Sequence, residues 1–215
     1  MIRLFVFDLD GTLVDSLRDL AGSANALLAS CGGAPLSVDA VGRMVGEGAA
    51  TLVARVFAAA GVAEPADSLD RFLAIYDSRL LDFTRPYPGM AEAIASLSTR
   101  ASLAVLTNKP LDATRRILDG LALSSFFDAD AVLGGDGPLP RKPDPAGLQQ
   151  LCARVHVAPA DAMMVGDSLV DWQTARNAGT GICLARYGFG FREFPADRLD
   201  GREHPIDAPA DLLAL

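Results

Sequence analysis

Short unbroken apolar runs recur along this chain, and each leads into a polar or glycine-bearing loop. Leu4-Phe5-Val6-Phe7 precedes Asp8, and Leu103-Ala104-Val105-Leu106 precedes Thr107-Asn108. Ala131-Val132-Leu133 precedes Gly134-Gly135, and Met163-Met164-Val165 precedes Gly166-Asp167. Ile182-Cys183-Leu184 follows Gly179 and Gly181. A run of this length without polar alternation fits a strand buried on both faces, as in the middle of a parallel sheet. Helical apolar spacing fills the intervals at 90–97, 113–121, 145–155 and 169–178. Strands alternating with helices predict an α/β fold with a doubly wound, Rossmann-like parallel-sheet core.

Residues 16–85 break that rhythm and carry no strand signal. Leu17, Leu20, Ala21, Ala24, Leu27, Leu28 and Cys31 repeat at helical spacing, and Gly32-Gly33 supplies a stop. Ser16 and Asp19 have the spacing of a capping box at the start of that helix. Leu52, Val53, Val56, Phe57 and Ala60 form a second apolar face, and Leu69, Phe72, Leu73, Tyr76 and Leu80 a third. The expected organisation is therefore a core of residues 1–15 and 86–215 with an all-helical insert over 16–85. Pro86-Tyr87-Pro88-Gly89 marks the return to the core. The tail predicts a connection and a short helix over 209–215.

The bulk properties narrow the partners. The 215 residues are half hydrophobic, enough for a sizeable buried core. The formal net charge is −8 and no basic cluster stands out, so a nucleic-acid partner is not expected. Acidic residues interrupt the first apolar run too early for a signal peptide, and no run approaches the length of a membrane span. The three cysteines, Cys31, Cys152 and Cys183, are far apart and lack metal spacing. Free thiols in a cytoplasmic protein are the expectation.

Ligands of an open parallel sheet bind beyond the carboxyl ends of the strands. The chemistry-bearing residues cluster at those ends. In an extended stretch Asp8 and Asp10 project to one side. Two carboxylates about 4 Å apart repel by roughly 4 kcal/mol at an effective dielectric near 20, a cost that a divalent cation offsets. Hard carboxylate oxygens suit Mg²⁺. Gly11 permits the tight turn that follows. Thr107 and the amides around Asn108 can bind phosphate oxygens, and Lys109-Pro110 can open a helix beside them. Lys142 is a compact positive charge able to neutralise a phosphoryl oxygen or an aspartate. Asp167 can complete a metal site, and Asp171, one helical turn on, can support it from behind.

Asp-x-Asp-Gly-Thr at 8–12, then Thr107-Asn108, Lys142-Pro143 and Gly166-Asp167-Ser168-x-x-Asp171 resembles the haloacid dehalogenase-like hydrolase superfamily over nearly the whole chain. The helical insert resembles its C1 cap. Residues 8–16, Val45-Gly46-Glu47-Gly48, 106–110 and Lys142-Pro143-Asp144-Pro145 look most like the phosphoglycolate phosphatase family. The resemblance implies a Mg²⁺-dependent phosphomonoester hydrolase acting on a small phosphorylated metabolite. It implies that Asp8 is the nucleophile that forms an aspartyl-phosphate and that Asp10 is the acid/base. The metal would sit among Asp8, Asp167 and the backbone carbonyl of Asp10. Thr107, Asn108 and Lys142 would hold the phosphoryl group. Cap contacts would choose the substrate, with Arg43, Glu47 and Gly48 as candidates ahead of Arg18 and Arg55. A sugar-phosphate mutase has the same core and cap. A receiver-like phosphorylation switch shares the residue types, but its acceptor Asp follows a later strand and it carries no helical insert.

Overall fold

The computed structural model describes residues 1–215. The first strand, β1 (Leu4–Phe7), is buried along its whole length. A two-residue strand, β2 (Val14–Asp15), leads into helices α1 (Leu17–Ser30), α2 (Val38–Gly42), α3 (Ala49–Ala60) and α4 (Ser68–Asp77). The chain leaves this helical segment through β3 (Arg85–Pro86). It continues with α5 (Met90–Leu97), β4 (Ser102–Leu106), α6 (Leu111–Gly120) and β5 (Val132–Leu133). Then come α7 (Ala146–Arg154), β6 (Ala162–Gly166), α8 (Leu169–Ala178), β7 (Gly181–Ala185) and β8 (His204–Ile206).

Six strands form one parallel sheet in the order β5-β4-β1-β6-β7-β8. β1 is central, which explains its lack of polar alternation. Phe5 and Phe7 join the apolar cluster on one face of the sheet, while Leu4 and Val6 join the cluster on the other. The first cluster is continuous with the helical segment, taking in Leu20, Val53, Phe57 and Phe72. The helices over 17–77 therefore pack as an extension of one sheet face. No helix is long and apolar enough to cross a membrane.

β2 and β3 pair antiparallel, with Val14 opposite Pro86 and Asp15 opposite Arg85. This ribbon lies where the chain enters and leaves the insert, at the composition change read from the sequence. Two residues made for a helix start do other work here. Ser16 precedes α1 but its side chain caps nothing, and its hydroxyl donates instead to Asp10 Oδ1 at 2.5 Å. The Asp19 carboxylate accepts from Phe83 N, Thr84 N and Thr84 Oγ1, at 2.7–3.1 Å. The expected capping box is thus absent, because three donors from the far end of the insert outcompete one backbone amide. Asp19 ties the end of the insert to its beginning.

Two elements lay beyond the sequence pattern. The short helix α2 has its N-cap at Ser37, whose side chain accepts from Ala40 N. β8 adds a sixth strand in the tail, containing Pro205 opposite Leu184. An edge strand tolerates a residue without an N–H, so the proline that hides the strand in the sequence is permitted in the fold. The tail's last turn, over Pro209–Ala214, is a 3₁₀ helix.

Candidate active site

Register explains how residues far apart in sequence meet. Phe7 of β1 lies opposite Val105 of β4 and Val165 of β6. The residues that follow these strands, Asp8, Thr107 and Asp167, therefore emerge side by side at the carboxyl ends of the central strands. Lys142, from the loop before α7, completes the group. Its ammonium lies 2.8 Å from Asp8 Oδ1 and 2.6 Å from Asp171 Oδ1, with all three side chains buried.

Asp167 is held with little freedom. Its Oδ1 accepts from Thr12 Oγ1 at 3.3 Å and its Oδ2 from Gly190 N at 2.7 Å. Gly11 has φ +88°, and a Cβ there would stand 2.0 Å from Asp167 Oδ2. Only glycine provides both the turn and the space. Helix α8 is capped by Ser168, not Asp167: the Ser168 hydroxyl accepts from Asp171 N, and Asp171 Oδ2 accepts from Ser168 N. With Lys142 on Oδ1 and Ser168 on Oδ2, both oxygens of Asp171 are engaged. That suits a supporting position behind the acids that face the open space.

Ligand atoms of Asp8, Asp167 and Asp171 lie within 4.8 Å of one another. Three buried carboxylates face one ammonium, so fully ionised they would leave two negative charges uncompensated. Burial pushes the Asp8 carboxyl up to about 6, with Lys142 pulling back and Asp171 adding repulsion. Asp167 is driven well above the usual carboxylate range, first by burial and then by Asp171 and Asp8. Burial alone would lower the Lys142 ammonium, but Asp171 and Asp8 outweigh it and raise it. A buried cluster of hard oxygen donors carrying two surplus negative charges fits a divalent cation such as Mg²⁺.

Asp10 lies apart from this cluster. Its carboxylate accepts from Ser16, and Lys109 Nζ sits 3.0 Å from each of its oxygens. The same ammonium is 2.7 Å from the Tyr76 hydroxyl on α4. Each acid of the Asp8/Asp10 pair thus has its own buried lysine. Only Lys142 was read from the sequence as a partner; Lys109 was read as the start of α6. Tyr76 was read as part of an apolar helix face. No local pattern marks their contact, because Tyr76 reaches Lys109 only when the insert folds back over the sheet.

A cavity of about 330 Å³ opens between the strand ends and the helical insert. Asp8, Asp10, Thr107 and Asn108 line its floor, and Leu52, Phe72 and Leu80 are among the residues of its apolar roof. Thr107 Oγ1 accepts from Lys109 N at 3.2 Å. Asn108 Nδ2 donates to the carbonyls of Gly46 and Lys142, both at 3.0 Å, while its Oδ1 is buried without a partner. Of the expected specificity residues, Gly48 borders the cavity, as does Gly46. Arg43 and Glu47 do not. Arg43 is exposed and lies 3.9 Å from Glu193, and Glu47 pairs with Arg55 on the surface. Arg18 stacks over the Phe83 ring, 3.3 Å from its centre.

The haloacid dehalogenase-like hydrolase family model matches residues 2–179. The chain belongs to this family. Among its relatives are phosphoglycolate phosphatases of Caulobacter vibrioides and Rhodospirillum rubrum, each 43% identical over 199 residues. The alignments cover 90% and 88% of this chain and 82% and 81% of those proteins. A crystal structure of a predicted phosphoglycolate phosphatase from Haemophilus somnus superposes with a TM-score of 0.90 at 31% identity, covering 99% of this chain and 97% of the other. The α/β core with its helical insert is thus shared with a solved structure of this family, and the acid cluster lies at the carboxyl ends of its central strands.

Proposed function

We propose that this chain is a Mg²⁺-dependent phosphomonoester hydrolase for a small phosphorylated metabolite of the phosphoglycolate type. The observation that carries this reading is the buried Asp8–Lys142–Asp171–Asp167 cluster, which meets the cavity at Asp8. The names of the relatives in two bacteria support the substrate class.

An Asp8 oxygen attacks phosphorus as the bond to the ester oxygen breaks, giving an aspartyl-phosphate. Asp10, protonated as the second half of the cycle leaves it, gives that proton to the departing oxygen and becomes the carboxylate held by Lys109 and Ser16. In the second half Asp10 takes a proton from water as that water attacks phosphorus; the bond to Asp8 breaks and inorganic phosphate leaves. Lys142, Thr107 and the amides near Asn108 hold the phosphoryl oxygens. The insert's apolar roof excludes bulk water, which protects the phosphoenzyme and strengthens these interactions. A divalent cation would be held by Asp8, Asp167 and the Asp10 carbonyl, with Asp171 behind them. Bound there, it neutralises phosphoryl charge.

Steady-state hydrolysis of a panel of phosphorylated metabolites, including 2-phosphoglycolate, tests the reading with and without Mg²⁺. Mg²⁺-dependent release of inorganic phosphate is expected. Isomerisation of glucose 1-phosphate with a bisphosphate activator would reassign the chain as a mutase. A stable phosphoenzyme without turnover would reassign it as a switch.

A further inference from the structure

The two residues that follow Thr107 both reach the helical insert. Asn108 Nδ2 bonds the carbonyl of Gly46, in the loop before α3. Lys109 Nζ bonds the Tyr76 hydroxyl on α4 and lies over its ring, 4.4 Å from the centre. Lys109 is nearly inaccessible, with a side chain 4% exposed. Its charge cannot be spent on solvent, and its carboxylate partner is Asp10. Buried lysines are rare unless paired, and this one joins a group on the insert to a group on the core.

Resting on the phosphatase reading, we propose that Lys109 is a positioning residue that couples closure of the insert to placement of the Asp10 carboxylate. When α4 is seated, Tyr76 occupies one donor direction of the ammonium. The remaining donors then address both oxygens of Asp10, while Ser16 fixes Oδ1 from the other side. When α4 lifts away, the ammonium loses its hydroxyl partner and gains water, so its hold on Asp10 loosens. The acid/base is thereby set in place only under a closed roof, when water has been excluded. The Lys142 ammonium has no such link: its carboxylate partners Asp8 and Asp171 both belong to the core, and only the Lys142 backbone carbonyl shares Asn108 Nδ2 with Gly46 of the insert.

The test combines Lys109→Met, Lys109→Arg, Tyr76→Phe and the Lys109→Met/Tyr76→Phe double variant, each assayed with 2-phosphoglycolate and with p-nitrophenyl phosphate. An aryl leaving group needs little protonation, so it isolates the contribution of Asp10. Because general acid–base catalysis supplies about 10²–10⁴-fold, misplacing its carboxylate in Lys109→Met should cost kcat roughly 10- to 100-fold on the alkyl ester, with KM little changed. In rapid-quench measurements, phosphoenzyme formation from the aryl ester should slow far less than from the alkyl ester, while its breakdown, common to both, slows equally; Lys109→Arg should recover part of the loss. Tyr76→Phe should act in the same direction more weakly. The double variant should be no worse than Lys109→Met, because groups acting in series are non-additive.

A selective rise in KM for 2-phosphoglycolate would make Lys109 a substrate-binding cation and overturn the proposal. Additive effects of the two single variants, or equal slowing of phosphoenzyme formation from both esters, would do the same. Hydrogen exchange of the metal-free proteins supplies a readout independent of turnover. Lys109→Met should speed exchange across 68–77 by more than at the amides of β1 and β6, which follow the global stability; no extra acceleration at 68–77 sinks the coupling. Failure of the wild-type protein to hydrolyse any ester, with the exchange change present, would reject the phosphatase reading while the tether stands.

Discussion

The two acids that follow β1 are separated by one residue, yet they sit in different electrostatic neighbourhoods. Asp8 shares Lys142 with Asp171 and stands beside Asp167, in a cluster with surplus negative charge. Asp10 has Lys109 on both oxygens and Ser16 on one, with no second carboxylate among its hydrogen-bond or ion-pair partners. The first neighbourhood calls for a cation; the second is already balanced. Two carboxylates in one short loop can therefore take different roles, because their surroundings differ more than their positions do. The sharpest way to break this comparison is to remove each acid in turn. Asp8→Asn should lower kcat/KM by at least about 10⁴-fold, since loss of a nucleophile removes the whole covalent route. Mass spectra of wild-type protein quenched with substrate should show a phosphorylated Asp8 peptide, and those of the variant no phosphopeptide. Near-wild-type activity would put the nucleophile elsewhere.

Asp10→Asn should cost less, about 10²–10⁴-fold on an alkyl phosphate, because it removes proton transfer but leaves the attacking group. Rapid-quench measurements on this variant should show an aspartyl-phosphate with p-nitrophenyl phosphate, which can still form it but hydrolyses it slowly. Equal defects in formation and breakdown with that ester would erase the distinction between the two acids.

Much of this arrangement was legible in the sequence. β1, α5 and α8 begin and end where their apolar patterns do. The strand ends were legible because a central parallel strand cannot alternate polar and apolar residues, and its last apolar residue marks where the loop begins. Asp8, Thr107 and Asp167 follow from that, and register brings them together. Ser16 and Asp19 show where local reading stops. Their spacing is that of a helix cap, but each is drawn to a tertiary partner, Asp10 and the 83–84 backbone respectively. Lys109 and Tyr76 are the extreme case. They are 33 residues apart in sequence, and neither has a local signature of its role.

The comparison can be sharpened by removing each lysine and asking whether a cation repairs the damage. Breaking a buried ion pair by deleting one partner typically costs about 3–5 kcal/mol, because the other charge stays buried. Lys142→Met should show a loss of that order in chemical denaturation without metal. Mg²⁺ should restore part of it, since the acids left behind include the candidate ligands Asp8 and Asp167. Lys109→Met should also lose stability, but Mg²⁺ should restore no more than it adds to the wild type. The Asp10 carboxylate lies outside the acid cluster. Equal rescue of both variants would mean that the two neighbourhoods share one cation. Chelation of wild-type protein should lower its midpoint as well, because the surplus charge is then relieved only by protonation.

The smallest effect is expected where the sequence pointed most specifically to substrate choice. Arg43, with Glu47 and Gly48, is one of the residues that the sequence offers for substrate choice, in or beside Val45-Gly46-Glu47-Gly48. In the folded chain it is exposed, faces Glu193 at 3.9 Å and does not border the cavity. Surface pairs of this kind contribute about 0–1 kcal/mol. Arg43→Ala should therefore leave kcat and KM for 2-phosphoglycolate within about fivefold of wild type, the factor that about 1 kcal/mol allows. A tenfold rise in KM would be the informative failure. It would require Arg43 to swing toward the acids during the reaction, so the substrate would meet a differently seated insert. The tether from Tyr76 through Lys109 to Asp10 would then describe a resting position, and the geometry that matters for Asp10 would have to be sought with ligand bound.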